Sequence, residues 1–258
     1  MNLTTAARDW RVPDVRRVTG VAAIVVAVAL SFEGLRQFID GARPGLTDYD
    51  GLEEFYERTA TGTLVVVLAD TILMTSLIVF FGCFRQLVTT RSPGLSWVAD
   101  IGFGAGLVYV AVTLVGDAMS GAAGLDAGAG EADGAIIRGL IEGHMLLFGS
   151  IGCVLTALLM ASAGYLVLAS EVLPRWTGVF AFVAAGLNLA AVPTMFGGTD
   201  ETDLFSVGGW ANAVLAVFPF LLWVILVGIY TIRGTRHHAL WMRRRRSGAA
   251  EERLAQLE

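Results

Sequence analysis

Residues 62–84 read GTLVVVLADTILMTSLIVFFGCF. A hydrocarbon layer of about 30 Å is crossed by a helix of about 20 apolar residues, at about 1.5 Å of rise per residue, and this run meets that length. It holds one charge, Asp70. Working outward, runs of the same character occupy 18–39, 97–119, 140–169, 176–196 and 210–232. The fourth exceeds the minimum and is expected to tilt or to emerge as a helix into the cytoplasm. The fold class that follows is all-α: an integral membrane bundle of six transmembrane helices, with a short segment at 1–17 and a basic tail at 233–258.

Composition points the same way. The chain has 258 residues, 55% hydrophobic and 16% charged, with a mean hydropathy of +0.66, too apolar for a soluble domain with a polar surface. Every positive side chain apart from histidine is arginine, because the sequence has no lysine. A retinal Schiff base needs a lysine amine, so a rhodopsin is excluded. Cys83 and Cys153 are the two cysteines and lie in separate apolar runs, which excludes a C-x-x-C redox centre and marks both as small buried hydrophobes.

Arginine placement sets the expected orientation, since cytoplasmic loops are enriched in Lys and Arg. Arg8, Arg11, Arg16 and Arg17 precede span one, Arg85 and Arg91 separate spans two and three, and Arg175 separates four and five. Arg233, Arg236, Arg243, Arg244, Arg245, Arg246 and Arg253 follow span six. The opposite loops carry acids instead, among them Asp48, Asp50, Glu53, Glu54, Asp126, Asp133 and Asp203. Both termini are therefore expected in the cytoplasm of a bacterial cell, the bundle in its plasma membrane. Arg16 and Arg17, an apolar run and then Ala27-Val28-Ala29 imitate a signal peptide, a stretch read here as a retained first span. The cluster Arg243, Arg244, Arg245 and Arg246 is expected to anchor the tail or to contact anionic lipid head groups.

Between spans one and two, Leu52, Phe55 and Tyr56 among acidic residues predict a short amphipathic helix lying against the bundle, or a lid over an outer cavity. Residues 120–134, rich in glycine and alanine, read as a flexible connection. The starts of spans one and five share a pattern: Arg17-Val-Thr-Gly-Val-Ala-Ala-Ile-Val and Arg175-Trp-Thr-Gly-Val-Phe-Ala-Phe-Val. A parallel repeat would produce it, as would a shared interface grammar of arginine at the head groups and Thr-Gly opening a helix.

The turn Leu173-Pro174-Arg175-Trp176-Thr177-Gly178, the early Arg17-Val18-Thr19-Gly20 and Asp70-Thr71 inside span two carry a family resemblance. Together, from about Arg16 to Gly234, they resemble the multi-span bacterial membrane proteins grouped as domain of unknown function 4386, seen in actinobacteria. The resemblance implies a compact helical bundle. It brings no activity and no catalytic residues with it.

Charge inside hydrocarbon is expensive, about 2.5 to 3.5 kcal/mol at a helix centre on insertion scales, so each such residue is a site candidate. With the orientation above, Glu33 falls in the outer third of span one and Asp70 about 12 Å below the outer face. Asp117 falls near the outer end of span three, Glu142 and His144 about one turn inside span four, and Asn188 and Asn212 in the outer halves of spans five and six. With Asn188 set aside as the mildest case, five spans thus send polar groups to one half of the bilayer, as a shared polar cavity would require. The candidate ligand-binding residues are Asp70, Glu142, His144, Glu33, Asn188 and Asn212. Glu33, Arg36 and Asp117 also read as hydrated residues at helix ends, with an i,i+3 pair available to Glu33 and Arg36. Asp70 is too deep to snorkel and needs a partner, a proton or water.

His144 is the single intramembrane histidine, His237 and His238 lying in the tail. Bis-histidine haem and a three-histidine zinc hydrolase are excluded, leaving Asp70, Glu142 and His144 as the one conceivable metal set; no metal and no cofactor is expected. Nucleotide loops, Gly-x-Ser-x-Gly elbows and metalloprotease helices are absent. Gly102 and Gly106 form a G-x-x-x-G for close packing, and Pro193 and Pro219 are expected to kink spans five and six. Phe218, Phe220 and Trp223 would line an apolar cavity or face lipid.

Three functions compete: binding or transport of an amphipathic or lipid-like molecule in an outer-half cavity, a structural or assembly subunit, and an intramembrane enzyme. The first is preferred, because a deep aspartate is hard to explain by assembly. The expected partners are membrane lipids, a small amphipathic ligand and a second copy or complex subunit, with no nucleic acid.

Overall fold

A backbone in hydrocarbon must satisfy its own N–H and C=O groups, and helices do so within one segment. The computed structural model describes residues 14–41, 43–199, 203–207 and 209–233, with no strand among them. Six helices are long and apolar enough to cross a membrane: α1 Val15–Asp40, α2 Tyr49–Arg91, α3 Pro93–Gly128, α4 Gly134–Ser170, α5 Arg175–Phe196 and α6 Asn212–Arg233. The chain is a multi-pass helical membrane protein. Arg243, Arg244, Arg245 and Arg246 lie outside the described residues, so nothing is assigned to them.

Three helices outrun the bilayer. At about 1.5 Å per residue α2 is about 65 Å long, twice the hydrocarbon thickness. The amphipathic segment expected as a separate helix is the first third of α2, continuous with its span. Asp48 caps it, its side chain accepting from Gly51 N–H at 3.1 Å. The glycine- and alanine-rich stretch expected to be flexible is likewise helical as far as Gly128. Alanine favours helix, and the glycines are used for contact: a Cβ on Gly124 would stand 3.2 Å from Thr63 Cγ2 of α2. Only residues 129–133 remain as the turn into α4, where Asp133 accepts from Ala135 N–H at 2.8 Å and Glu53 of α2 accepts from Gly134 N–H at 2.7 Å. Leu52, Tyr56, Ala123, Ala127, Ile137 and Ile141 form a small core of their own there. This end of the bundle, which carries the 41–48, 129–133 and 197–211 connections, is called the mouth end below.

Lipid offers no hydrophobic drive between helices, so the bundle relies on close van der Waals approach at small residues. Gly164 of α4 and Gly178 of α5 cross so tightly that a Cβ on the first would stand 2.9 Å from the carbonyl of the second. At the same end of the bundle, opposite the mouth, Gly20 of α1 meets Gly228 and Ile232 of α6. The G-x-x-x-G of α3 packs within the chain against two partners, Gly102 on Ser162 of α4 and Gly106 on Phe81 of α2. Trp223 of α6 is buried between Phe80 and Phe84 of α2 and donates its indole N–H to the Thr177 carbonyl at 3.2 Å.

Three helices depart from α geometry at one level. Leu147–Ile151 in α4 and Asn212–Val217 in α6 are π turns, and Val192–Phe196 in α5 is 3₁₀. Both expected prolines sit at these places: Pro193 opens the 3₁₀ turn, and Pro219, with no N–H to give, follows the π turn of α6.

Candidate ligand cavity

A cavity of about 920 Å³ occupies the mouth half of the bundle. Its wall on α2 runs from Phe55 to Leu77, about 33 Å of helix. Around its waist stand Glu33 of α1, Asp70 of α2, Asp117 of α3, His144 of α4 and Asn212 of α6. Five helices contribute one polar side chain each. Below the waist the lining is mainly apolar, with Leu73, Leu77, Val217, Phe220 and Leu221, joined by Tyr109 and Thr113 of α3. At the rim it is mixed, with Phe38, Asp40, Arg43, Phe55 and Trp210.

Each waist residue is set by its helix. On α3, Tyr109, Thr113 and Asp117 recur every four residues and share one face, and all three line the cavity. Asp117 is 3% exposed, and its Oδ2 has no hydrogen-bond partner. His144 Nδ1 lies 3.9 Å from Asp117 Oδ1, also without a hydrogen bond of its own. The imidazole fits there because α3 has no side chain at Gly116, where a Cβ would stand 3.3 Å from Nδ1. Phe148, one turn on, stacks on the imidazole with centroids 6.0 Å apart. Glu33 and Asp70 bring their carboxyls within hydrogen-bonding reach of each other across the α1–α2 contact.

Asn212 belongs to a second, drier polar group beside the waist. Its Oδ1 accepts from Thr194 Oγ1 at 3.2 Å, and Ser150 Oγ lies 3.3 Å from the same Thr194 oxygen. Cys153 Sγ is 3.8 Å from Asn212 Oδ1, and Asn212 Nδ2 donates to the Val207 carbonyl at 3.4 Å. This group ties together the three irregular turns of α4, α5 and α6. Gly149, inside the π turn, leaves room for the amide: a Cβ there would stand 2.9 Å from Asn212 Nδ2.

Of the six residues expected to bind ligand, the fold brings Glu33, Asp70, His144 and Asn212 to the cavity wall and keeps two away. Glu142 sits on another face of α4, its Oε1 2.8 Å from Arg138 Nε, and Arg138 in turn donates to Tyr49 Oη at 3.0 Å. It fastens α4 to the start of α2. Asn188 is fully buried in α5 and donates to the Ala184 carbonyl at 2.8 Å. Arg36 pairs with Asp40 at 2.7 Å, one turn further along α1. Asp117, read as a hydrated residue at a helix end, is buried because α3 continues for three more turns. Its signal was in the sequence, in the spacing of Tyr109, Thr113 and Asp117. Phe220 lines the cavity, Trp223 is core, and Phe218 is exposed on the outside.

Among the described residues no three His, Cys, Asp or Glu side chains gather closely enough to hold a metal ion. Fold and site together define a six-helix membrane bundle around a half-polar, half-apolar chamber. Comparison with protein-family profiles, with curated proteins and with solved structures finds no match to this chain.

Proposed function

We propose that the chain is a binding or transport-type protein that takes an amphipathic small molecule into this cavity from the outer half of the bacterial plasma membrane. One observation carries the reading: a polar waist of Glu33, Asp70, Asp117, His144 and Asn212 stands directly above an apolar floor of Leu73, Leu77, Val217 and Phe220. Ligand sites are concave, mostly apolar and fitted with a few convergent polar groups. A volume of about 920 Å³ is at the upper end of the usual range for a small-molecule site. An assembly subunit has no use for a chamber of this size, and its buried carboxylates would weaken the fold without return.

With arginine-bearing connections in the cytoplasm, the mouth faces outward and both termini face inward. The family resemblance to domain of unknown function 4386 extends the same proposal to proteins sharing the Arg-Val-Thr-Gly and Pro-Arg-Trp-Thr-Gly turns. The test is occupancy. Ala213 lines the cavity, and Ala213→Trp fills it from α6. Mass spectrometry of protein purified in nanodiscs is expected to find an amphiphile bound to the wild type and at least tenfold less on Ala213→Trp. Equal recovery from both, or recovery of a stable hetero-complex with an empty cavity, would replace binding by assembly.

A further inference from the structure

Resting on the binding reading above, we propose that the ligand is a cationic amphiphile: an organic ammonium whose head sits among Glu33, Asp70 and Asp117 and whose alkyl chain runs toward Leu77, Phe220 and Leu221. Charge decides the sign of the head. The acidic lining residues are Glu33, Asp40, Asp70 and Asp117, against Arg43 at the rim and His144 beside Asp117. Asp40 is held by Arg36. That leaves Asp70 and Asp117 at the waist, with Glu33 beside Asp70, and an anionic head would meet like charge there.

The second observation is independent of that count. Asp117 is 3% exposed, lines the cavity, and has an Oδ2 with no partner in the fold. A buried carboxylate oxygen left without a hydrogen bond is costly, and a donor supplied by a ligand removes the cost. Glu33 and Asp70, within hydrogen-bonding reach of each other, repel unless a proton or a cation stands between them. An ammonium supplies both needs, with N–H donors and a positive charge in one group. A compact metal ion is less suited, because no three ligating side chains converge among the described residues. The ring of Phe148, one turn from His144 and lining the cavity, adds a face that attracts an organic cation.

Shape gives the rest of the molecule. From Asp70 to Leu77 the floor descends about 10 Å along α2, flanked by Phe220 and Leu221 of α6, both nearly fully buried. That is room for a single alkyl chain, with Tyr109 and Thr113 of α3 as the polar side chains on that stretch of wall. α1 and α6 touch at Gly20 and Gly228, and nearer the mouth Gly34 and Phe38 of α1, Ala213 of α6 and Trp210 just before it line the cavity. Phe38 is 86% exposed and Trp210 67% exposed, so two apolar side chains stand open at the cavity rim.

The experiment uses three probes that share one chain and differ in the head: octylamine, octanol and octanoate. Each is titrated by calorimetry into the full-length protein in nanodiscs, with empty nanodiscs subtracted. Octylamine is expected to bind saturably and at least tenfold more tightly than octanol, with no saturable binding of octanoate; a charge-assisted hydrogen bond is worth about tenfold or more. Asp117→Asn and Asp70→Asn should each weaken octylamine by about tenfold and leave octanol unchanged, while Glu142→Gln, outside the cavity, should change neither. Equal affinity for octylamine and octanol, or tighter binding of octanoate, overturns the cationic assignment and leaves the binding function standing. Failure of all three probes on the wild type overturns both. Should one aspartate variant not fold, the other variant and the wild-type probe series still decide.

Discussion

Asp117 shows how a residue can work against the fold that holds it. Its carboxylate is buried, shares no ion pair shorter than the 3.9 Å approach of His144, and leaves Oδ2 without a donor. Asparagine has the same shape without the charge, so Asp117→Asn is expected to raise stability by about 1 kcal/mol or more, read as a higher thermal midpoint in nanodiscs without ligand. The same substitution weakens the cationic probe, and gain of stability with loss of binding is the mark of a site residue. A lowered midpoint would show that the carboxylate is structural. Charge in an apolar run was legible from the sequence at Asp70, and the polar stripe Tyr109, Thr113 and Asp117 was present though unread. The roles of Glu142 and His144 were not legible from their closeness in sequence, because residues two apart on a helix face different ways: Glu142 to Arg138, His144 to Asp117.

At the level of the helices, glycine has two uses that the sequence does not tell apart. A Cβ at Gly164 would stand 2.9 Å from the Gly178 carbonyl, whereas one at Gly186 would meet nothing within 4 Å. Gly164→Ala is expected to destabilise the bundle by about 1–3 kcal/mol, the usual cost of overpacking. Gly186→Ala is expected to be neutral or to stabilise by up to about 1 kcal/mol through helix propensity. Thermal unfolding of the two variants side by side checks the pair, and equal effects would disprove the tight α4–α5 crossing. The two Thr-Gly openings that look like a repeat serve the same purpose, since Gly20 permits α6 to approach α1 and Gly178 permits α4 to approach α5. Close crossing is a sufficient physical reason for the shared pattern. The irregular turns were half legible: Pro193 and Pro219 announce a break, but the π turn at Leu147–Ile151 has no proline and arises where Gly149 makes way for Asn212.

For the molecule as a whole, the distribution of arginine predicts which end faces the cytoplasm, and this is open to direct test. With Cys83→Ser and Cys153→Ser as background, a single cysteine is placed by Glu131→Cys at the mouth end or by Gly94→Cys at the opposite end. A membrane-impermeant maleimide added to intact cells is expected to label the first at least tenfold more than the second. The reverse pattern would invert the orientation and make the chamber face the cytoplasm. The asymmetry of the bundle belongs to the same scale: α2, α3 and α4 extend beyond a bilayer's thickness at the mouth end and enclose the small core of Leu52, Tyr56, Ile137 and Ile141. This collar heightens one side of the cavity.

Six apolar stretches of membrane-spanning length, and the sorting of arginine and acid between their ends, could be read from the amino-acid order alone, because the hydrophobic cost of misplacing a helix is set by its own residues. Helix length beyond the span could not, since alanine and glycine propagate a helix or leave it depending on whether a neighbour such as Thr63 is there to pack against. The chamber itself was decided only by tertiary structure. Whether a carboxylate faces lipid, an arginine on its own helix or a shared hollow depends on the rotation of five helices about their axes, and that rotation is fixed by contacts between residues far apart in the chain.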